Sequence, residues 1–587
     1  MKILINQIGY TATAPKVAVV QAASPLAAGA FTLEDAAGRT VYTATLTPVG
    51  RVANWHTGYY ATADFSTFTG RGRFTLTIGD HHSHRFTIDD GAMDLRLTSA
   101  LAYWFKGQRA DGEWAASDHH AEFAGPRVGP VDVAGGWFDA SGDVGVYLSH
   151  QSHTSWYNPQ QMAFAAYAFY QLSEQLAGAD QNYTAVRRRI LAEAAYGADS
   201  VMRRYVPGRS FLKAVTRQDA LATVSEARRV TYELHHSSAQ FGAAATADQE
   251  PVTDLNYEAS FRSGGGTAIA ALAIAGRHYY PGTANPAAAY IQTAKNAFAY
   301  LKAHNAEVTN DGQFNLVDAY CALLAAVELY KTTAEYGYLR DARSFAQQIL
   351  DSRADFAGYR WLSVAPDMPF FHPSDEGLPI VALVLYAGIE NQPVAKAAAL
   401  TGASELMATA LRLTAAVNNP FAYPRELTKC RPEEPVVPQF FFPHHTAATP
   451  WWQGENARLA SLACAAYAVA GTSDDPKFGD QLVAFAQAQL DWLAGRNPYD
   501  ASMIEGFGRN HVQYHFGERL DFLNAPGGII NGITSGLDDE GDIALIRGPQ
   551  DGIDDNWRWA EQWLPHVAWT LLALGEKNRL HQHRPTE

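Results

Sequence analysis

The sequence predicts a mainly α-helical protein that begins with a small β-sandwich. Residues 1–88 are rich in Thr, Val and Phe, and stretches such as residues 73–78 alternate apolar and polar side chains. From about Leu95 onward the chain becomes a succession of alanine-rich stretches with helical spacing. A change of apolar period from two residues to about 3.6 marks the passage from strands to helices. We therefore expect two domains, one at residues 1–88 and one at residues 92–580.

About a dozen helices are predicted in the second domain. Periodicity by itself supports only a large all-α domain at this point. Loops as long as those between some of the helices are usually functional or disordered when they occur in a compact domain. The predicted helices span residues 94–108, 158–177, 185–204, 265–278, 287–304, 315–333, 338–351, 378–389, 393–414, 455–470, 477–494 and 561–576.

Composition argues against two classes of partner. The chain has 587 residues, 47% of them hydrophobic, which is enough for a large core. Its formal net charge is −15 at pH 7, and no basic stripe offsets the acidic excess, so we expect no nucleic-acid partner. No uninterrupted apolar stretch reaches about 18 residues, so we expect no membrane helix. The oligomeric state stays open.

The N-terminus and the cysteines indicate a cytoplasmic location. Residues 1–6 lead directly into a strand-like run, without the apolar region and small-residue cleavage site of a secretion signal. Cys321, Cys430 and Cys464 are widely spaced and show no metal-ligand pattern, so we expect reduced thiols. We expect neither a metal nor a cofactor.

Two carboxylates lie in a glycine-bounded turn near the start of the helical domain. Residues 135–143 read GGWFDASGD, which places Asp139 and Asp143 beside Trp137. Glycine allows a tight bend that can aim both Asp side chains into one cleft, and a Trp ring offers the flat apolar face on which pyranose rings stack. The pattern is compatible with acid/base chemistry on a sugar. Turn formation or calcium binding is the more frequent role of paired Asp residues in such loops.

A third carboxylate lies between tryptophans near the C-terminus. Residues 554–566 read DDNWRWAEQWLPH and lead into the apolar run at residues 567–574. Glu561 thus lies where a loop becomes the last predicted helix, beside Trp557 and Trp559. A carboxyl group at a helix N-terminus is stabilised as the anion, whereas a general acid must keep its proton near neutral pH. Burial and repulsion from the Asp pair would have to outweigh the helix effect.

Together these segments resemble glycoside hydrolase family 9, which contains cellulases and exo-β-glucosaminidases. In that family a glycine-tryptophan-aspartate segment supplies the base and a late glutamate supplies the acid. Residues 6–10, NQIGY, resemble the start of the immunoglobulin-like module that precedes many of these catalytic domains. Residues 495–498 and 506–508 resemble the late substrate loop of the family. The resemblance implies an (α/α)₆ barrel preceded by an immunoglobulin-like β-sandwich.

The resemblance also implies roles for the three carboxylates. Inverting glycosidases hold a base and an acid about 6.5–9.5 Å apart, so that a water molecule fits between the base and the anomeric carbon. We assign Asp143 as the base, Asp139 as its partner in holding the water, and Glu561 as the acid. Ser141 is one residue more than the usual Asp-Ala-Gly-Asp of the family. This extra residue leaves open which Asp is the base.

Aromatic and histidine side chains near these segments are predicted to contact the sugar. For each histidine a structural hydrogen bond is an equally good interpretation, and the two tryptophans at 451 and 452 could instead belong to the core. The predicted substrate-binding residues are Trp137, His150, His153, Tyr157, Trp451, Trp452, His511, His515, Trp557 and Trp559.

The leading functional hypothesis is an inverting exo-β-D-glucosaminidase that releases monosaccharide from the non-reducing end of chitosan- or chitin-derived β-1,4-linked oligosaccharides. It follows from the resemblance to the intracellular, exo-acting branch of the family. Four acidic loop residues would pair with a substrate ammonium, unless they are solvated charges or helix caps. They are Asp367, Asp375, Glu376 and Glu505. The alternatives are an endo-β-1,4-glucanase or a cello-oligosaccharide β-glucosidase, and a non-catalytic sugar-binding protein whose loop Ser141 has disrupted.

Overall fold

The N-terminal domain is a β-sandwich of two sheets. The computed structural model describes residues 1–150, 157–179, 181–217, 228–232, 252–431, 433–444, 452–516 and 524–583. The strands of the first domain are β1 Lys2–Leu4, β2 Tyr10–Thr11, β3 Val17–Ala22, β4 Ala30–Glu34, β5 Thr40–Thr45, β6 Thr47–Arg51, β7 Tyr59–Asp64, β8 Gly72–Ile78, β9 His81–His82 and β10 Phe86–Asp89. One sheet has the order β1-β3-β7-β6, and the other has the order β2-β10-β8-β4-β5 with β9 paired to β8. Strands β2 and β10 run parallel, whereas β3 and β7 pair antiparallel over their whole length.

Strand β8 shows why these residues form a sandwich. Phe74 and Leu76 are buried, whereas Thr75 and Thr77 are partly exposed. The two buried side chains join Phe31 in an apolar core that lies between the sheets. Alternate burial of this kind is what a strand with one solvated face requires.

The second domain is helical. Among the described residues, no helix has the length and apolar content needed to cross a bilayer. The helices are α1 Ala92–Gly107, α2 Glu113–Asp118, α3 Met162–Gln175, α4 Thr184–Arg203, α5 Gly266–Arg277, α6 Ala287–His304, α7 Leu316–Thr333, α8 Tyr336–Asp351, α9 Leu378–Ile389, α10 Pro393–Ala415, α11 Asn456–Ala470, α12 Pro476–Leu493, α13 Trp557–Ala560 and α14 Leu564–His583.

Six helices form a closed inner ring. Helices α3, α5, α7, α9, α11 and α14 contact one another in this order, and α14 closes the ring on α3. These helices are apolar on most sides: α5 is buried from Gly266 to Ala275, and α7 from Leu316 to Leu329. A helix that is hydrophobic all round must be enclosed by protein on every side, and the inner ring provides that environment.

The outer helices have one buried face each. Helices α4, α6, α8, α10 and α12 pack against the inner ring, and α1 packs against α14 and α4. In α8 the buried residues recur at helical spacing, at Leu339, Ala342, Phe345, Ala346, Ile349 and Leu350. An apolar stripe of this kind lets a helix cover the inner ring while its other face meets water. The double ring confirms the predicted (α/α)₆ architecture.

The largest difference between the predicted and observed helices is at the C-terminal end. The prediction places one helix at residues 561–576, whereas the structure has the short α13, an extended Glu561 with φ −64° and ψ 129°, and then α14 from Leu564. Pro565 lacks an N–H and has a fixed φ, which suits the first turn of a helix. Glu561 therefore lies in a link between two helices and not at the N-terminus of the last one.

Short antiparallel strands connect the helices. The sheet that follows the Asp loop consists of β11 Val146–Tyr147, β12 Ala214–Arg217 and β13 Arg228–Thr231. The other short strands are β14 Arg353–Phe356, β15 Tyr359–Ala365, β16 Met368–Pro369, β17 Glu426–Thr428, β18 Val437–Gln439, β19 Thr534–Ser535 and β20 Ile543–Ala544.

The first loop of the sandwich binds the loop that follows α12. Gln7 Nε2 donates hydrogen bonds to the Asp500 carbonyl and to Asp500 Oδ1, each at 3.0 Å. Gln7 Oε1 accepts from the Arg509 N–H at 2.7 Å, and the Gln7 N–H donates to the Ala494 carbonyl at 2.9 Å. A Cβ atom on Gly508 would lie only 2.6 Å from Gln7 Oε1, so the two loops approach each other closely. The immunoglobulin-like domain thus holds the predicted substrate loop.

Replacing Gln7 with alanine should lower the free energy of unfolding by about 1–3 kcal/mol, because several partly buried donors and acceptors at the domain junction lose their partner. The value of kcat/KM should fall as well, because the substrate loop is less well held. Urea unfolding and steady-state kinetics measure the two effects. The matched control is Gln21→Ala, which removes one amide hydrogen bond to the Thr57 carbonyl inside the sandwich. An equal loss of kcat/KM in both variants would contradict the role of Gln7.

Candidate active site

The Asp loop, residues 135–145, and the acid segment, residues 557–564, are joined by backbone hydrogen bonds. Ala140 and Trp563 form an antiparallel bridge between them. On its other side the acid segment hydrogen-bonds to the backbone of residues 529–531. Carboxylates from opposite ends of the helical domain therefore meet at one place.

Ser141 strengthens this contact. Its N–H donates to the Gln562 carbonyl at 2.8 Å, and its Oγ accepts from the Gln562 N–H at 3.0 Å. The residue that the usual motif of the family lacks therefore secures the Asp loop against the acid segment. Disruption of the loop by Ser141, which one of the functional hypotheses assumes, is not what the structure shows.

A tight turn brings the two Asp residues together. The Asp143 N–H donates to the Ala140 carbonyl at 3.2 Å, and Gly142 has the φ of 80° that such a turn requires. The Asp139 N–H donates to the Gly145 carbonyl at 3.0 Å, and the Gly145 N–H donates to Asp143 Oδ1 at 2.8 Å. Each Asp is thus held by hydrogen bonds within the loop.

The two Asp carboxyl groups differ in their environments. Asp139 is 5% exposed, and its Oδ1 has no hydrogen-bond partner among the described residues. Burial raises the pKa of Asp139 well above its usual range, and the charges of Asp143 and Glu561 raise it further. The Asp143 side chain is 28% exposed, and Arg217 Nη2 lies 3.7 Å from its Oδ1. Asp143 is the carboxyl group that is open to water, as a base that activates water must be, and this difference in exposure favours Asp143 as the base.

Three further side chains near the carboxylates were missed by sequence reasoning: Arg217, Tyr147 and Tyr514. Burial and the charges of the two Asp residues raise the pKa of Tyr147. Burial and the charges of Glu561, Asp555 and Asp143 raise the pKa of Tyr514. Tyr514 lies within the predicted substrate loop, and this position was the available signal. Arg217 comes from strand β12, and no local pattern marks it.

Glu561 has the pKa that a general acid requires. Burial, together with the smaller effect of the Asp143 charge, raises the pKa of Glu561 from 4.5 to about 8. A hydrogen bond from Asn531 Nδ2, 3.4 Å from Glu561 Oε2, acts in the opposite direction. Glu561 lies in an extended link, so the stabilisation of its anion that was expected from a helix N-terminus does not apply. Burial is the largest cause of its raised pKa.

Trp137 is not a sugar platform, which corrects the sequence-based prediction. Its ring is fully buried, with ring centroids at 5.4 Å from Phe105, 5.8 Å from Phe169 and 5.6 Å from Tyr196. Its Nε1 donates to Glu193 Oε1 at 3.1 Å. The glycines before Trp137 turn the chain so that this side chain enters the core, where aromatic neighbours cover the ring.

Replacing Trp137 with phenylalanine should therefore affect stability and not binding. We expect the free energy of unfolding to fall by about 1–3 kcal/mol, because volume and a buried hydrogen bond are lost. The KM for oligosaccharides should stay unchanged. The comparison variant is Trp557→Phe, at a partly exposed ring beside the acid, which should raise KM with little effect on unfolding. A large rise of KM in Trp137→Phe at unchanged stability would contradict this interpretation.

The tryptophans of the acid segment are not equivalent. Trp559 is buried and donates its Nε1 hydrogen to Thr534 Oγ1 at 2.9 Å, so its predicted contact with sugar is wrong. Trp452 and Trp557 are partly exposed. The Arg558 guanidinium lies 4.3 Å from the ring centroid of Trp452 and 4.4 Å from that of Trp557, a cation–π arrangement. Trp452 and Trp557 therefore remain candidates for sugar contact.

Tyr157 belongs to a buried aromatic cluster, contrary to the prediction of a substrate contact. It is 2% exposed, and its ring centroid lies 5.6 Å from that of Phe371 and 6.4 Å from that of Phe442. Apolar burial explains its position, because the three rings cover one another. His150 is half-buried, and its ring centroid lies 6.4 Å from that of Trp563 in the acid segment, so it remains a candidate for sugar contact.

The late histidines lie on the loop that approaches the acid segment. His511 and His515 are half-buried. The His515 N–H donates to Asn556 Oδ1 at 2.7 Å, and the Asn556 N–H donates back to the His515 carbonyl at 3.1 Å. The loop is thereby tied to the residues just before α13. Two further predicted contacts, His153 and Trp451, lie outside the described residues.

Two of the acidic residues that were predicted to pair with an ammonium group are structural. Asp375 is buried and accepts a hydrogen bond from Trp569 Nε1 at 2.8 Å. Glu376 is buried in an ion pair with Arg458. The other two of the four keep contact with solvent. In the described part of the chain, no three His, Cys, Asp or Glu side chains group as metal ligands do.

Two sequence profiles match this chain. Residues 97–518 match glycosyl hydrolase family 9, and residues 1–83 match the cellulase N-terminal ig-like domain. The first match covers well over half of the chain. It ends before Glu561, so the acid segment is identified by its geometry and its resemblance.

The chain is also similar to a known protein over part of its length and to solved structures over nearly all of it. The chain is 30% identical over 161 residues to a cellodextrinase from Butyrivibrio fibrisolvens, which is 25% of this chain and 27% of the relative. The chain thus matches about a quarter of the length of that relative. A single mutant of a thermostable endoglucanase from Alicyclobacillus acidocaldarius is similar over 98% of this chain and 99% of its own, with a TM-score of 0.65 and 17% identity. The structure of AaCel9A in complex with cellobiose-like isofagomine is similar over 98% of this chain and 100% of its own, with a TM-score of 0.64 and 18% identity.

At these identities the structural similarity establishes the fold alone. The family is established by the profile match, which covers most of the barrel domain, and the order of the Asp loop and the late glutamate agrees with it. The chain belongs to glycosyl hydrolase family 9 and carries the immunoglobulin-like domain of that family's cellulases at its N-terminus.

Proposed function

We propose that this protein is an inverting glycosidase that hydrolyses β-1,4-linked glucan oligosaccharides. One observation carries the proposal. Glu561, whose pKa is raised to about 8, and Asp143, which is open to water, are held on two segments that the Ala140–Trp563 bridge joins. An acid that holds its proton at neutral pH beside a water-accessible carboxylate is the pair that inversion needs.

The reaction follows from these environments. Asp143 accepts a proton from a water molecule, and the water oxygen attacks the anomeric carbon of the sugar. The bond between that carbon and the glycosidic oxygen breaks, and Glu561 donates its proton to the departing oxygen. Asp139, which is buried and lies in the same turn as Asp143, helps to hold the water. Exchange of protons with solvent restores Asp143 and Glu561.

Glucan is the better supported substrate. The relatives are described as a cellodextrinase and as endoglucanases, and one neighbour is described as a complex with cellobiose-like isofagomine. Of the four carboxylates considered for the ammonium of a glucosaminide, Asp375 and Glu376 have buried structural partners, which leaves Asp367 and Glu505. We therefore place cello-oligosaccharides before chitosan oligosaccharides, which reverses the order expected from the sequence.

Product analysis on matched pentamers of β-1,4-linked glucose, glucosamine and N-acetylglucosamine tests the substrate. We expect cleavage of the glucose pentamer, and proton NMR of the first products should show the α-anomer at the new reducing end. The Glu561→Gln protein serves as the control for contaminating activity. Monosaccharide release from the glucosamine pentamer alone would overturn the glucan assignment in favour of an exo-β-glucosaminidase. Binding of all three pentamers without turnover would overturn the assignment as an enzyme.

A further inference from the structure

Asn531 contacts the acid in more than one way. It is fully buried in the loop before β19. Its backbone N–H donates to the Glu561 carbonyl at 2.8 Å, and its Nδ2 donates to the Trp557 carbonyl at 2.8 Å. The same Nδ2 lies 3.4 Å from Glu561 Oε2. One side chain thus bonds the backbone of the acid segment and reaches the reacting carboxyl group.

His566 fixes the orientation of the Asn531 amide. It lies in the first turn of α14 and is fully buried, and burial lowers its pKa to about 3. The imidazole is therefore neutral at every working pH. His566 Nε2 lies 2.8 Å from Asn531 Oδ1, and since an amide oxygen only accepts, Nε2 carries the proton. His566 Nδ1 has no hydrogen-bond partner in the described part of the chain.

This donor and the Trp557 carbonyl keep the Asn531 amide from rotating, and Gln453 Nε2, 3.5 Å from Asn531 Oδ1, adds a longer contact to the same oxygen. If the amide were turned by 180°, its oxygen would face the Trp557 carbonyl, and its NH₂ would face the His566 N–H. Both arrangements oppose donor to donor or acceptor to acceptor. The amide NH₂ is therefore held towards Glu561, and a donor in this position stabilises the carboxylate more than the carboxylic acid.

We propose that Asn531 and His566 are positioning residues that orient Glu561 and stabilise the charge it acquires when it protonates the leaving oxygen. The carboxyl group loses a proton during bond cleavage, and a fixed donor favours that charged product. Burial alone would make Glu561 hold its proton too firmly to donate it. This inference depends on the proposed function, because it assigns a role to the acid in that reaction.

Several other titratable or charged groups act on Glu561 and would contribute to its pH dependence. These groups act on Glu561 through their charges, whereas Asn531 donates a hydrogen bond to its carboxyl group. The groups are Asp139 and Asp143 on the Asp loop, Asp555 just before α13, and Tyr514 on the loop that approaches the acid segment.

The test compares Asn531→Ala with the wild-type protein on cellopentaose and on 2,4-dinitrophenyl β-cellobioside. On cellopentaose kcat should fall by about 10- to 100-fold with little change in KM, because a hydrogen bond to a charged group is lost. The aryl glycoside should lose much less, because its leaving group needs little protonation. Removing a donor to the anion raises the pKa of the acid, so the alkaline limb of kcat/KM should move to higher pH.

Two histidine variants keep the proposal testable if Asn531→Ala does not fold. His566→Leu removes the N–H and should reproduce the loss on cellopentaose, whereas His566→Gln retains a donor and should recover much of it. The control is Thr570→Val, which removes a buried 2.8 Å hydrogen bond to the His566 carbonyl without touching Asn531. Its ratio of activities on the two substrates should equal that of the wild type.

The outcomes separate the two proposals. Turnover by the wild-type protein, together with equal losses on both substrates and an unmoved alkaline limb in the variants, would reject the role of Asn531 and His566 alone. Absence of turnover by the wild-type protein on every oligomer would reject the proposed function, and the positioning role with it. A selective loss on cellopentaose with the shifted limb supports both.

Discussion

Replacing Glu561 with glutamine should lower kcat on cello-oligosaccharides by about 10²- to 10⁴-fold, the usual contribution of general acid catalysis. The amide has nearly the same size as the acid but has no proton to give to a departing sugar oxygen. An aryl cellobioside with a dinitrophenol leaving group should lose far less activity, because that group departs without protonation. Steady-state rates on the two substrates give the comparison directly.

The pH dependence provides a second measure of the same residue. Glu561 must be protonated to act, and since its pKa is raised to about 8, wild-type activity on cellopentaose should fall as pH rises through about 8. That limb should be absent from the residual activity of Glu561→Gln on the aryl glycoside. An equal loss on both substrates, or a limb that persists in the variant, would contradict the assignment of the acid.

The same substitution should stabilise the folded protein near neutral pH. In the unfolded chain Glu561 ionises near its usual pKa of 4.5, whereas the folded chain keeps the proton up to about pH 8. Between these values the folded state binds more protons, so its stability falls as pH rises. Glutamine removes this dependence, and a higher Tm at pH 7 with lower activity is the expected exchange at a catalytic site.

Replacing Asp143 with asparagine should abolish most turnover on both substrates, by about 10²- to 10⁴-fold. Attack by water is required whatever the leaving group, so the aryl glycoside offers no relief. This loss on both substrates distinguishes a base variant from an acid variant. Kinetics on the same two substrates, with the folded state checked by circular dichroism, measure the effect.

Asp139→Asn is the matched comparison, because it changes the same functional group four residues away. An Asp139 that only helps to hold the water can be replaced in part by an amide, which also forms hydrogen bonds to water, so its loss should be the smaller of the two. A greater loss in Asp139→Asn than in Asp143→Asn would transfer the role of base to Asp139.

Much of the architecture could be read from local pattern. Alternating residues 73–78 became β8, and each predicted helical stretch corresponds to a long helix, because apolar period reflects which face of an element is buried. The prediction was least accurate in the acid segment, where the last helix begins at Leu564 and not at residue 561, with Pro565 in its first turn. The two Asp residues and Glu561 could be selected because carboxyl groups beside glycine or tryptophan are visible along the chain.

Neighbours that arrive from distant segments could not be selected in this way. Trp137 and Trp559 looked like sugar platforms because a Trp near a carboxylate is the local signature of one, but tertiary packing buries both rings. Asn531 and Arg217 carry no local signature, and only the folded chain brings them to Glu561 and Asp143.

The sequence by itself predicted a β-sandwich followed by a helical domain from local period, and its short motifs gave the resemblance to the family and selected the three carboxylates as candidates. Only the tertiary structure decided which carboxyl groups have raised pKa values and which tryptophans are buried. Protonation and exposure depend on desolvation and on charges from other parts of the chain, and the bridge between Ala140 and Trp563 joins segments that the sequence keeps far apart.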